Sequence, residues 1–85
     1  MTWWCYIVRC IDGTLYTGIT NDIEKRIDAH NAGNAAKYTR ARRPVDLTYV
    51  EECADRSGAS RREAVIKRMS RKAKLALAHG PCSIS

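Results

Sequence analysis

Trp3-Trp4-Cys5-Tyr6-Ile7-Val8-Arg9-Cys10-Ile11-Asp12-Gly13-Thr14-Leu15-Tyr16-Thr17-Gly18-Ile19-Thr20 is the stretch that decides the fold. Trp4, Tyr6 and Val8 alternate with Cys5, Ile7 and Arg9, and both sets are largely apolar. That pattern suits a strand, Trp3 to Cys10, buried on both faces at the centre of a small sheet. Asp12-Gly13 is a hairpin turn signal, and Leu15 to Ile19 is the returning strand. The turn sets which side chains meet. A two-residue Asp12-Gly13 loop pairs residues whose numbers total 25, with Tyr6 and Tyr16 on opposite faces. A three-residue loop, Asp12 to Thr14, pairs residues totalling 26 and puts both tyrosines on one face. If the tyrosines share a cleft, the three-residue loop is the expectation.

Beyond the hairpin, Asn21 with Glu24 three residues later makes a capping-box pattern for a first helix. The helix runs to about Asn31, and Gly33 is its stop. Residues 33–44 read as a loop, and Leu47 to Glu51 as a third strand, with Pro44 just before it. Ser57 caps a second helix through Met69, Ser70 caps a short third helix from Arg71 to Ala78, and Gly80-Pro81 ends it. The order β-β-α-β-α-α predicts an α+β domain, a small sheet flanked by helices.

Eighty-five residues make one domain, expected over 1–80 with 81–85 as a tail. There is no apolar run of roughly 18 residues to span a membrane. The start lacks a basic segment followed by an apolar one, so no secretory signal is read and a cytoplasmic protein is expected. The four cysteines, Cys5, Cys10, Cys53 and Cys82, form no Cys-x-x-Cys pair and stand far from zinc spacing with His30 or His79; free thiols are expected. The net charge of +6 is unevenly spread: residues 1–36 carry −1 and residues 37–85 carry +7. A basic C-terminal half fits a polyanion partner, nucleic acid being the commonest.

Helical spacing singles out three polar residues. Ile23 and Ile27 mark the inner face of the first helix, His30 falls on that face, and Arg26 lies one turn before it. Ala59 and Ile66 mark the inner face of the second helix, and Glu63 lies between them. Inward Arg, His and Glu are costly to bury unless they meet partners. Taken singly, each has a plainer reading: Glu63 in a salt bridge with Arg26 or Lys37, His30 as a satisfied core histidine, Arg26 on the surface, the tyrosines as ordinary sheet residues. Three such residues together in so short a chain favour a site.

The whole resembles the GIY-YIG nuclease superfamily. Trp4-Cys5-Tyr6 stands where that family has Gly-Ile-Tyr, and Tyr16-Thr17-Gly18 where it has Tyr-Ile-Gly. The stretch Asn21 to His30 is similar to the family's Arg-bearing helix, and Glu63 in Arg61-Arg62-Glu63-Ala64 matches its metal-binding glutamate. The resemblance covers residues 3 to about 78 and is nearest to the short stand-alone bacterial group, with Asp12 to Thr20, Lys37 to Thr39 and Arg61 to Glu63 as its three blocks. It implies a three-stranded antiparallel sheet and a metal-dependent endonuclease that hydrolyses phosphodiester bonds in DNA, with a role in repair or processing. The first block lacks its glycine and isoleucine. The asparagine that many relatives carry after the glutamate is absent from Ala73 to Leu77, and the separate DNA-binding domain fused to most characterised relatives is not expected here.

In the implied mechanism Glu63 holds Mg²⁺ or Mn²⁺, Tyr6 is the first candidate for general base, Arg26 neutralises phosphate charge, and His30 and Tyr16 orient the nucleophile or share proton transfer. As general base, Tyr6 needs a nearby cation to lower its pKa. Gly18 lets the chain approach the site closely. Lys37, Tyr38, Arg40, Arg42 and Arg43, with Arg62, are the expected nucleic-acid contacts. Two rival readings keep the fold and drop the cleavage: a nucleic-acid-binding module with weak catalysis, and an interaction subunit borrowing specificity from a protein partner through an apolar patch near Trp3.

Overall fold

The structure is a computed structural model that describes residues 2–78. It is a three-stranded antiparallel sheet of order β2-β1-β3 with four helices. The elements are β1 (Trp3–Cys10), β2 (Leu15–Thr20), α1 (Ile23–Ala32), α2 (Lys37–Arg40), β3 (Val45–Cys53), α3 (Arg56–Lys67) and α4 (Arg71–Ala78). The Gly80-Pro81 stop, the 81–85 tail and Cys82 lie outside the described residues.

Strand β1 is central and buried on both sides, as its double apolar pattern predicts. Tyr6, Val8 and Cys10 face α1 and pack with Val45, Ile23 and Ile27. Cys5 and Ile7 face the other way and pack with Ile66 of α3, Met69 and Leu77 of α4. Cys5, Cys10 and Cys53 are free thiols. Strand β3 serves both layers because it is bulged. Ile7 pairs with Tyr49 but Val8 pairs with Leu47, so Thr48 is the extra residue, and its hydroxyl donates to the Ile7 carbonyl at 3.0 Å. Without that insertion Val45 and Tyr49, four apart, would share a face; with it, Val45 joins the α1 layer and Tyr49 the α3 layer.

The hairpin register corrects the sequence reading. Tyr6 pairs with Gly18 and Val8 with Tyr16, so partner numbers total 24. The loop has three residues, but they are Ile11, Asp12 and Gly13, one earlier than expected. The Cys10 amide donates to the Thr14 carbonyl at 2.8 Å, and Gly13 takes a φ of 86° that a side chain would strain. Asp12 holds the turn by accepting from the Thr14 amide at 3.0 Å. Tyr6 and Tyr16 therefore share the α1 face.

Two caps also move. Asp22, not Asn21, caps α1 and accepts from the Lys25 amide. The cause is Thr20, whose hydroxyl accepts the Asp22 amide at 3.0 Å and holds Asp22 extended. Asp55, not Ser57, caps α3 through the Gly58 amide at 2.7 Å, and α3 ends at Lys67 rather than Met69. Gly33 ends α1 in the left-handed conformation, and Ser70 accepts from the Ala73 amide at the start of α4, both as expected. Strand β3 begins two residues before Leu47 because Asn31 of α1 binds both backbone groups of Val45, accepting at 2.7 Å and donating at 3.3 Å.

Candidate active site

Gly18 stands directly across from Tyr6 on the neighbouring strand, and the Tyr6 ring lies over it. A β-carbon at position 18 would come within 2.7 Å of the ring carbon bearing the hydroxyl. Glycine is therefore required here by the tyrosine itself. So laid down, the Tyr6 hydroxyl meets His30 Nε2 at 2.8 Å, and His30 Nδ1 meets the Thr39 hydroxyl at 2.8 Å. Tyr6, His30 and Thr39 are all buried. Strand β1, helix α1 and helix α2 thus contribute one residue each to a single line of hydrogen bonds.

That line explains why residues 37–40 are helical where the sequence reads as loop. Ala36 offers no side-chain cap to α2. The turn is held from outside, by His30 on Thr39 and by Arg42 donating to the Tyr38 carbonyl at 2.8 Å. A tertiary contact of this kind leaves no local mark in the sequence.

Tyr16 packs edge-on to the His30 ring, centroids 5.4 Å apart. Tyr38 stacks on Tyr16 at 5.8 Å, and the Arg42 guanidinium lies 4.1 Å over the Tyr38 ring. Arg26 is half-buried at the wall of a cavity of about 230 Å³ lined also by Thr20, Asn21, Asp22, Lys25 and Ala29. Its charge is felt at both Tyr6 and His30. From α3, which lies over the edge strand β2, Glu63 pairs with Lys67 at 3.3 Å. Lys67 reaches to 6.0 Å from the Tyr16 ring, and the Glu63 charge is felt at Tyr6. Tyr6, Tyr16 and His30 are thus in direct contact, Arg26 lies near enough for its charge to act on Tyr6 and His30, and Glu63 comes from α3 at the β2 edge, where its partner Lys67 approaches Tyr16. Among the described residues no ion pair joins Glu63 to Arg26 or Lys37, so the salt bridges offered as its plain explanation are not formed.

The electrostatics differ from expectation at Tyr6. Burial pushes its pKa well above that of a free phenol, and the Arg26 charge offsets this only in part. A cation is present, but burial outweighs it. His30 moves the opposite way: burial first and Arg26 second lower its pKa, which favours the neutral ring.

The expected nucleic-acid contacts divide by what they already touch. Lys37 and Arg40 are exposed. Arg42 is drawn onto Tyr38 and Asp12, the latter at 3.2 Å. Tyr38 has ring partners within the chain in Tyr16 and Arg42. Arg43 donates to the Arg40 carbonyl at 2.9 Å. Arg62 lies 2.9 Å from Glu51, which also accepts from Tyr49, so its charge is engaged inside the protein. Two residues near the site were not read as part of it. Thr39 stood in the Lys37-Tyr38-Thr39 block, which was its only signal. Lys67 counted only among the cations of the basic C-terminal half, though it lies one helical turn beyond Glu63.

Among the described residues no three His, Cys, Asp or Glu side chains gather as a metal cage. A closed zinc site is therefore not built here. One half-buried carboxylate, Glu63, fits a hydrated Mg²⁺ or Mn²⁺, which keeps several waters and takes few protein ligands.

The GIY-YIG catalytic domain matches residues 2–76. The chain belongs to the GIY-YIG family. It is 59% identical over 69 residues to a UPF0213 protein of Desulfotalea psychrophila, covering 80% of this chain and 63% of that one, less than two thirds of the relative's length. It is 51% identical over 72 residues to a UPF0213 protein of Halobacterium salinarum, covering 85% and 94%. The solution structure of a UPF0213 protein from Bacillus halodurans superimposes with a TM-score of 0.59 at 39% identity, over 95% of this chain and 89% of that one. The GIY-YIG domain is a nuclease fold, and nucleic acid is the substrate class it takes. Among the described residues no helix is long and apolar enough to cross a membrane.

Proposed function

We propose that this GIY-YIG protein is a metal-dependent endonuclease that hydrolyses phosphodiester bonds in DNA. The observation that carries the reading is the contact of two phenols with one buried histidine under the charge of the half-buried Arg26, with Glu63 approaching from α3 and paired, among the described residues, only with Lys67. Glu63 is the ligand for Mg²⁺ or Mn²⁺. When bound, the ion polarises the phosphate and neutralises developing charge.

The chain's own residues do the rest. Arg26 stabilises charge on the phosphoryl oxygens; loss of such a donor typically costs ~2.7–4 kcal/mol of transition-state stabilisation. Tyr6 takes the proton from the attacking water, and His30 stands behind it to receive the Tyr6 proton. Because Tyr6 is 2% exposed, it serves only a water that the bound substrate brings against its hydroxyl. Tyr16 is more accessible and orients the nucleophile. Lys37 and Arg40 contact the phosphate backbone first, Tyr38, Arg42 and Arg43 line the approach, and Arg62 contributes through the general positive field. The cellular setting that fits this chemistry is a cytoplasmic enzyme acting in DNA repair or processing, with a protein partner supplying specificity.

The test is to incubate purified protein with single-stranded, duplex and branched DNA, with Mg²⁺, with Mn²⁺ and with chelator. Metal-dependent nicking that weakens steeply with added salt is expected. Salt-sensitive binding without any metal-dependent nicking contradicts the reading and leaves a binding module.

A further inference from the structure

The line of hydrogen bonds through Tyr6, His30 and Thr39 has a direction, and counting its protons fixes it. The chain of contacts is Tyr6 hydroxyl to His30 Nε2 at 2.8 Å, His30 Nδ1 to Thr39 hydroxyl at 2.8 Å, and Thr39 hydroxyl to the Ala36 carbonyl at 3.2 Å. A carbonyl only accepts, and a hydroxyl has one proton. If Thr39 gives its proton to Ala36, it must accept from Nδ1–H, which leaves Nε2 bare to accept from Tyr6. All three contacts are then satisfied. In the opposite tautomer Nε2–H points at the Tyr6 oxygen and Thr39 must turn its proton to Nδ1. The Thr39–Ala36 bond is lost, and in the substrate-free chain the Tyr6 proton, at a residue only 2% exposed, has no other hydrogen-bond acceptor among the described residues. Burying a hydroxyl proton without an acceptor disfavours that tautomer.

We infer that Thr39 is a positioning residue: it locks neutral His30 in the Nδ1–H tautomer, so that the Nε2 lone pair is aimed at the Tyr6 proton. The inference deepens the proposed function and rests on it for its consequence. When water attacks phosphorus, the new P–O bond forms as the bond to the leaving oxygen breaks; one water proton passes to the Tyr6 oxygen as the Tyr6 proton passes to Nε2, and the leaving oxygen takes a proton from solvent. Tyr6 ends neutral, His30 ends as imidazolium, and the proton is retained beside the site. The burial that raises the Tyr6 pKa and lowers that of His30 opposes a standing phenolate–imidazolium pair, so the two transfers belong to one event. Thr39 touches neither substrate nor metal in this scheme. It acts through His30, as an outer partner that fixes a functional imidazole.

The test reads the tautomer directly. The full chain is labelled with ¹⁵N-histidine in a His79→Asn background, which leaves His30 as its one histidine. Two-bond ¹⁵N–¹H spectra at about pH 7.5, above the ordinary histidine pKa, then report which ring nitrogen carries the proton. With Thr39 intact, a protonated Nδ1 and a bare Nε2 are expected. Thr39→Val and Thr39→Ala are expected to lose that preference, and Thr39→Ser to restore it. The nicking rate is expected to fall roughly ten- to a hundredfold in Thr39→Val and to recover in Thr39→Ser, by analogy with groups that orient metal-bound histidines. A protonated Nε2 with Thr39 intact overturns the inference, as does an unchanged Nδ1–H pattern in Thr39→Val or Thr39→Ala. If Thr39→Val does not fold, the spectra of the Thr39-intact chain and of Thr39→Ala decide between these results. The spectra need no substrate, so a failure here is separate from a failure to cut DNA.

Discussion

At position 18 the space for a side chain is filled by the Tyr6 ring, with its hydroxyl-bearing carbon 2.7 Å from where a β-carbon would stand. Gly18→Ala must therefore push Tyr6 off its seat and away from His30. We expect a loss of roughly 1–3 kcal/mol of stability, the usual cost of overpacking, read as a lower urea midpoint, together with loss of nicking. An alanine variant with wild-type stability would mean that the ring moves freely, and the line from Tyr6 to Thr39 would not be rigid. Much at this scale was legible beforehand. Helical spacing put His30 and Glu63 on inner faces with Arg26 beside them, and Asp12-Gly13 flagged the hairpin that carries both tyrosines. The sense of the Tyr6 shift was not legible, because it depends on how deeply the ring is buried against the pull of Arg26, and burial is a property of the packed molecule.

At the scale of elements, the sequence reads best where an element carries its own signal. Strand β1, the glycine stop of α1 and the serine cap of α4 were of this kind. It reads poorly where a neighbour decides. Thr20 chooses Asp22 over Asn21 as the cap, Asn31 starts β3 early, and His30 holds α2 in a segment that otherwise reads as loop. The turn shows the same limit: Asp12-Gly13 was recognised, but the three-residue loop begins at Ile11. The caps give a paired prediction. Asp22→Ala and Asp55→Ala should each cost about 1 kcal/mol in chemical denaturation, while Asn21→Ala and Ser57→Ala should cost much less. Equal losses within either pair would contradict the cap assignment.

For the whole molecule, the buried His30 links stability to pH. Its folded pKa lies below its ordinary value of 6.5, so the unfolded chain binds a proton first as pH falls. Stability should hold above pH 6.5 and decline as pH falls below that value, until the folded state also takes the proton. Thermal unfolding of wild type and His30→Gln from about pH 7.5 down to about pH 5 checks this; the variant should show a flatter profile over that window, and parallel profiles would contradict it. The molecule's charge has a similar two-part organisation, with an acidic N-terminal stretch and a basic C-terminal half. Some of those cations are engaged within the chain, as Arg62 is by Glu51 and Arg42 by Tyr38 and Asp12. Catalysis in the proposed scheme turns on Glu63, which among the described residues is paired only with Lys67, one helical turn away. The most direct measurement compares nicking of branched and duplex DNA by wild type and Glu63→Gln, each with Mg²⁺ and with chelator, alongside DNA binding and thermal unfolding. Glu63→Gln should fold and bind DNA but nick at least roughly a hundredfold more slowly, the loss expected for a main charge-stabilising group. Nicking that persists in Glu63→Gln, or in chelator, would contradict it.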